Sequence, residues 1–331
     1  MSMKKSKVEW IDYNWNPITG CKYDCPYCYA KQAAVRFAGD YRLNMANPLC
    51  KGDKEKGLLE LEQPFKINGH NAAYPFAFIP TLHKYALKKP REKKMGANIF
   101  VGSMAEMFGE WVPDEWINLV FDACKKYDWH NYLFQTKNPD RYVQLRERGL
   151  LLEQENIWYG TTMTENWQKY FADANLHTFL SLTPIQGPID LTHIDVPPDW
   201  VIIGKEFGNR NTRITPQKKW IVDIAEFCTR NNIPFFMDLN MEDIMGVDFI
   251  QEIPAALKNH DMSPKQKERL IGTCFLCHTE KPKRKMHNLR SRNKDNKSDE
   301  TFGYLCDECY QAMKNAIENK QTIEVHEDEN R

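Results

Sequence analysis

The sequence predicts an α/β protein: a complete or partial (β/α) barrel of TIM type, followed by a small cysteine-clamped module. Three observations carry that prediction. Six short apolar runs recur at helix-sized intervals between residues 98 and 237, and each reads as a strand buried on both faces. Each run ends in polar or glycine-containing residues, as barrel strands do where a site occupies the C-terminal face. Two Cys-x₂-Cys pairs follow, in a segment with too little apolar content to fold around a core of its own.

The basic N-terminus, Met1-Ser2-Met3-Lys4-Lys5-Ser6-Lys7, is followed by no apolar h-region, which argues against a signal peptide. Val8-Glu9-Trp10-Ile11-Asp12 reads as the first strand, delivering the next segment to the polar face. That segment, Cys21-Lys22-Tyr23-Asp24-Cys25-Pro26-Tyr27-Cys28, spaces three thiols as Cys-x₃-Cys-x₂-Cys. A zinc site or an electron-storing cluster normally takes four protein ligands. Three thiolates on one loop can hold three irons of a 4Fe–4S cube and leave the fourth iron open to a small molecule. The competing reading is a zinc site completed by a distant residue.

Residues 40–97 read as an insertion into a barrel domain spanning 1–260. Lys51-Gly52-Asp53-Lys54-Glu55-Lys56 is a charged surface loop, and Pro75 to Lys94 mixes aromatic residues with lysine. A substrate cover and a solvated excursion are both open for this segment.

The strand-like runs are Asn98–Gly102, Tyr132–Thr136, Ile157–Thr161, Thr178–Leu182, Trp200–Gly204 and Pro234–Met237. Their polar ends are Ser103, Lys137, Thr162, Thr183, Glu206 and Asp238. Pro113-Asp114-Glu115-Trp116 opens a helix with Trp116, Leu119, Val120 and Cys124 on one stripe. Pro216-Gln217-Lys218-Lys219-Trp220 opens another, with Trp220, Ile221, Ile224 and Phe227 facing inward. Cys124 and Cys228 fall on these helices as core residues, while Cys50 falls in a loop without an evident role. No G-x-G-x-x-G follows the first strand, which counts against a doubly wound dinucleotide fold.

Over 270–318, Cys274-Phe275-Leu276-Cys277 and Cys306-Asp307-Glu308-Cys309 can point four thiolates at one ion. Structural zinc in a ribbon or treble clef is the favoured reading, and an auxiliary iron–sulfur cluster is its rival. Residues 281–297 between the pairs carry eight Lys/Arg and one acid, Asp295, and read as a basic loop suited to the phosphates of DNA or RNA. A solvated hairpin tip is the plainer alternative. The acidic tail, 319–331, reads as disordered.

Charges balance at 45 Lys+Arg against 45 Asp+Glu, so no whole-molecule field selects a polyanion. No run approaches the ~18 apolar residues of a membrane span, so no membrane partner is expected. Clustered thiols read as metal ligands in a cytoplasmic chain. Walker A, H-E-x-x-H and G-x-S-x-G motifs are absent from the sequence.

From about residue 10 to 240 the chain resembles a phage-associated, radical-SAM-like family of uncharacterised proteins. The resemblance rests on Trp15-Asn16-Pro17-Ile18-Thr19-Gly20-Cys21 and its thiol loop, and on Val101-Gly102-Ser103-Met104-Ala105-Glu106-Met107-Phe108-Gly109-Glu110-Trp111-Val112-Pro113. Thr136-Lys137-Asn138-Pro139, Trp158-Tyr159-Gly160-Thr161-Thr162, Gly187-Pro188-Ile189 and Trp200-Val201-Ile202-Ile203-Gly204-Lys205-Glu206 extend it. Three departures bear on the substrate pocket. Ser181-Leu182-Thr183-Pro184 replaces the Ser-x-Glu-Pro of many relatives, Gly204-Lys205-Glu206 replaces Gly-Gly-Glu, and Asp238 stands where relatives often place Lys.

The resemblance implies a partial barrel of the radical SAM kind, with a 4Fe–4S cluster on Cys21, Cys25 and Cys28 and S-adenosylmethionine (SAM) on the open iron. One electron, from a donor such as flavodoxin or ferredoxin, cleaves SAM and yields a 5′-deoxyadenosyl radical that abstracts hydrogen from substrate. Tyr27 is then expected near the adenine, and Gly102 and Ser103 near the SAM amino group with Glu106 as a charged partner. Thr162 and Lys137 are further candidates at the site, and Glu206 is placed at the ribose or the substrate. The substrate is unassigned, with nucleic acid among the candidates. Two alternatives stand beside this reading: a non-catalytic metal- and nucleic-acid-binding protein, and an enzyme whose cluster only relays electrons.

Overall fold

A computed structural model describes residues 3–6, 8–166, 168–207, 213–258, 271–292 and 299–318. The chain divides into two compact units, Met1–Asp261 and Met262–Arg331.

In the first unit, seven parallel strands pair in the order in which they occur: β1 (Tyr13–Trp15), β2 (Asn98–Val101), β3 (Asn131–Thr136), β4 (Ile157–Thr162), β5 (His177–Leu182), β6 (Trp200–Ile203) and β7 (Phe235–Met237). Spatial order equal to sequence order is the winding of a barrel, whereas a doubly wound sheet reverses direction at a switch point. Among the described residues the ladder ends at β7 without pairing back to β1, so the barrel is partial. Each apolar run read from the sequence lies on one of β2 to β7. A two-residue strand, Lys4–Lys5, adds antiparallel to β1.

The period of two sorts the side chains. Leu133, Trp158, Phe179, Trp200, Ile202 and Phe236 belong to one buried cluster that also takes in Trp10. Tyr132, Phe134 and Tyr159 belong to another, packed with Trp116, Val120 and Cys124 of α2 (Asp114–Lys126). Leu180, Val201 and Ile203 pack with Ile221, Ile224, Phe227 and Cys228 of α3 (Lys218–Arg230). The expected stripe on α2 needs one correction. Leu119 is 39% exposed, because the buried face follows Trp116, Ile117, Val120, Phe121 and Cys124 instead.

The expected first strand at Val8–Asp12 is also corrected. That segment closes on itself, with Ser6 N donating to Asp12 O at 2.8 Å and Ile11 N to Val8 O at 3.4 Å. Trp10 is left as a plug, its ring 5.6 Å from Trp200 and 5.4 Å from Phe100. Pairing with β2 begins only at Tyr13.

Within residues 40–97, Lys51–Asp53, Leu58–Leu61 and Thr81–His83 join Ile18–Thr19 in a second, four-stranded sheet. Cys50 is buried there among Leu59, Leu61, Phe65 and Phe76, and residues 51–56 are exposed. Among the described residues no helix is long and apolar enough to cross a membrane.

The second unit pairs β8 (Ile271–Thr273) with β9 (Glu280–Pro282), and β10 (Met286–Arg292) with β11 (Asp299–Cys306), before α4 (Asp307–Glu318). The expected basic loop is therefore largely regular structure: residues 281–292 run through β9, a 3₁₀ turn at Lys283–Lys285 and β10. Residues 293–298 and the acidic tail, 319–331, lie outside the described residues.

A candidate active site at the barrel mouth

The thiol loop is set by its anchors. Gly20 adopts φ +91°, and a Cβ there would lie 2.4 Å from Ile79 O, so only glycine lets the chain turn against that carbonyl. Gly20 N donates to Met104 O at 2.9 Å and Cys21 N to Phe78 O at 3.1 Å, tying the loop to the β2 end and to the inserted segment. Cys28 ends the loop as the N-cap of α1 (Tyr29–Arg36), its sulfur accepting the Lys31 amide at 3.3 Å. The Tyr23 amide donates to Cys21 Sγ at 3.2 Å. Burial pushes the Cys21 thiol up to about 12, with the Tyr23 amide acting the other way.

All three thiols line a cavity of about 250 Å³ at the C-terminal ends of the strands. The same cavity is lined by Tyr27, Gly102, Ser103, Glu106, Lys137, Thr162, Thr183, Glu206 and Asp238. The structure thus brings every site residue read from the barrel sequence to one place.

Glu106 is fully engaged by protein donors. Oε1 accepts from the Thr136 hydroxyl at 2.6 Å and the Phe108 amide at 3.2 Å, and Oε2 accepts from the Lys137 amide at 3.0 Å. Burial raises its pKa above the ordinary carboxylate range, against the pull of those three donors. It therefore braces the β2 end against the β3 end. The Lys137 ammonium is buried, has no hydrogen-bond partner among the described residues, and lies 5.4 Å from the centre of the Tyr27 ring. The Ser103 hydroxyl pairs with the Asn16 side chain at 3.2 Å. Glu206 is 4% exposed, and Lys205 beside it pairs with Asp243 at 2.5 Å.

Gln135 and Ser181 also line the cavity and were not singled out from the sequence. Gln135 Nε2 donates to Thr162 Oγ1 at 2.6 Å and to Ser181 Oγ at 3.1 Å, forming a polar rung across β3, β4 and β5. The signal was present: Gln135 is the one polar side chain within Tyr132–Gln135, two residues inside the strand from Lys137 and so on its face. Asp238 was read as a strand end but given no role. Burial, then the nearby Glu9 carboxylate, push it up to about 7, with the Trp10 indole hydrogen bond opposing.

In the second unit the sulfurs of Cys274, Cys277, Cys306 and Cys309 all lie within 4.8 Å of one another. Cys277 and Cys306 are 3.8 Å apart, matching the edge of a tetrahedron with bonds of about 2.3 Å. The Thr279 hydroxyl and amide pull Cys277 down to about 6. The group can hold a metal ion. Lys281 pairs with Glu308 at 2.7 Å, and the Lys283 ammonium lies 4.7 Å from the Tyr304 ring centre.

A family model described as "Protein of unknown function (DUF5131)" matches residues 5–245. No curated protein matches. Three solved structures match, all mutants of spore photoproduct lyase at 10% identity, each over 96% of this chain and 75% of theirs. One has a TM-score of 0.37; another, with bound AdoMet and dinucleoside spore photoproduct, has 0.35; a third, with dinucleoside spore photoproduct, has 0.36. Scores this low carry nothing over to the activity of this chain.

Proposed function

The chain belongs to the family of proteins of unknown function DUF5131, and we propose that it is a radical SAM enzyme. Cys21, Cys25 and Cys28 would hold a 4Fe–4S cluster, with SAM beside it in the barrel mouth. The observation that supports this is the convergence of three thiols from one loop with six polar strand ends on a single cavity. The donor set fits the group: the three sulfurs face common space, and backbone amides of Tyr23 and Lys31 already donate to two of them. Bound there, the pair would supply one-electron reductive cleavage of SAM and a carbon radical able to abstract hydrogen, with flavodoxin or ferredoxin as donor.

The chain's own residues do the positioning. Glu106 holds the β2 and β3 ends together, and the Tyr27 ring and Lys137 ammonium form one wall as a pair. Gly102 and Ser103 present the β2 end to SAM. Thr162, held by Gln135, and Glu206 offer hydrogen-bonding groups to SAM or substrate. Lys137 and Glu206 are assigned as the catalytic residues, Lys137 beside SAM with Tyr27 and Glu206 at the ribose or the substrate. Cys274, Cys277, Cys306 and Cys309 would hold structural zinc, and the basic residues within 281–297 would face DNA or RNA.

Anaerobic reconstitution should give about four irons and four sulfides per chain, and reduction with SAM should release 5′-deoxyadenosine. A Cys25→Ala protein that still released it would sink the mechanism. The four-cysteine group favours a second reading, a metal- and nucleic-acid-binding protein without catalysis. Zinc without iron after anaerobic purification would select it.

A further inference from the structure

The segment Lys84–Glu92 is a nine-residue 3₁₀ helix. Such a helix turns every three residues and rises about 2.0 Å per residue, so side chains at i and i+3 stand in line about 6 Å apart. Ala86 and Pro90 are buried against the barrel. Three aromatic side chains fix the backbone: Trp15 Nε1 donates to Ala86 O at 2.9 Å, Trp129 Nε1 to Lys93 O at 3.1 Å, and His130 Nε2 lies 3.1 Å from Pro90 O.

The outward row is Lys88 and Arg91, continued past the helix end by Lys94, and all three are exposed. The Lys94 ammonium donates to Arg91 O at 3.0 Å, which keeps it beside the row. Lys84 is neutralised by Glu60 and Glu62, and Lys89 by Glu92, the one acid between residues 84 and 97. Among the described residues Lys88, Arg91 and Lys94 have no carboxylate within ion-pair distance. Lys93 lies over the Tyr13 ring at 4.1 Å instead.

We propose that the Lys88–Arg91–Lys94 row binds the sugar–phosphate backbone of a nucleic acid, one phosphate per cation, without reading sequence. A fixed row of charges suits a ligand that is itself a row of charges at regular intervals. An anionic membrane is the poorer fit, because exposed apolar side chains should accompany the cations. Between Leu49 and Leu119, Met95 alone among large apolar side chains is exposed. This surface is separate from the thiol loop and stands whether or not the cluster reading holds.

The test measures binding of the full chain to fluorescein-labelled 20-nucleotide single strands and duplexes between 50 and 200 mM salt. Lys88→Gln/Arg91→Gln/Lys94→Gln should weaken binding at least tenfold and flatten the log–log salt slope by about 2 on single strands and about 2.7 on duplexes, as three lost phosphate contacts require. Lys88→Arg/Lys94→Arg should keep both affinity and slope. The row is overturned by unchanged binding in the glutamine variant, or by an unaltered chain that binds neither oligonucleotide. Binding abolished by Lys283→Gln/Arg284→Gln/Lys285→Gln but not by the row variant, or capture by phosphatidylserine vesicles without oligonucleotide binding, overturns it equally.

Discussion

A Cβ placed on Gly204 would lie 2.3 Å from Oδ2 of Asp238, so the end of β6 and the acid after β7 share one volume. Asp238 is nearly buried and hydrogen-bonded by Trp10, so it has little room to yield. Gly204→Ala is expected to cost about 1–3 kcal/mol of stability by overpacking. In an Asp238→Ala background the same change should be close to neutral. Urea unfolding of the four proteins checks the cycle, and simple additivity would contradict the contact.

Asp238 also sets a pH dependence. Its pKa is raised to about 7 in the folded chain, from a usual value near 4. The stability it contributes is present in full below about pH 4, where folded and unfolded chains both hold the proton. It is lost as pH rises toward 7, because the unfolded chain releases that proton first. Unfolding free energy should fall by roughly 2–3 kcal/mol between pH 5 and pH 8 on this account. In Asp238→Asn that portion of the slope should vanish.

Glu106→Ala would strand three donors: the Thr136 hydroxyl and the amides of Phe108 and Lys137. A loss of about 3 kcal/mol or more is expected. Glu106→Gln should recover only part of it. Whichever side takes the new NH₂ group, it faces a donor, either the Lys137 amide or the pair at Oε1. Thermal unfolding of the two variants gives the order.

At Lys137 stability and activity should move in opposite directions. Its ammonium is buried without a hydrogen-bond partner among the described residues, so Lys137→Met should leave the fold as stable or raise it by about 1 kcal/mol. 5′-Deoxyadenosine formation should drop at least tenfold. Denaturant midpoints and product chromatography on one preparation check both signs. A destabilised variant would mean that the ammonium has a structural partner.

A metal held by Cys274, Cys277, Cys306 and Cys309 would be what keeps the second unit folded, so stripping it should unfold that unit alone. All nine tryptophans lie in the first unit. A strong chelator should therefore expose Leu305 and the cysteine sites to proteolysis and thiol reagents while tryptophan fluorescence stays unchanged. A blue- or red-shift on chelation would contradict that independence.

The barrel was legible because its strands are buried on both faces. Ile157–Thr162 and Trp200–Ile203 read as continuous apolar runs whatever their neighbours do. β1 was misplaced because three residues, Tyr13–Trp15, offer no period, while the apolar Val8–Ile11 nearby is a turn whose tryptophan fills the barrel. The inserted sheet went unread for the same reason, its strands being two to four residues long. Polar strand ends led to the cavity, but not to Gln135, since a strand-end rule passes over a residue inside the strand. Asp238 stands out only in three dimensions, because its neighbours, Gly204 and the adjacent pair Glu9-Trp10, come from two distant stretches of chain.

Cys28 closes the thiol loop and caps α1 with the same sulfur. Metal binding and local folding therefore draw on separate lone pairs of one atom. A serine there would cap the helix at least as well yet offer a hard oxygen in place of a soft thiolate. Helix order at α1 and occupancy of the loop are thus two readouts of a single side chain, and Cys28→Ser would preserve the first while abolishing the second.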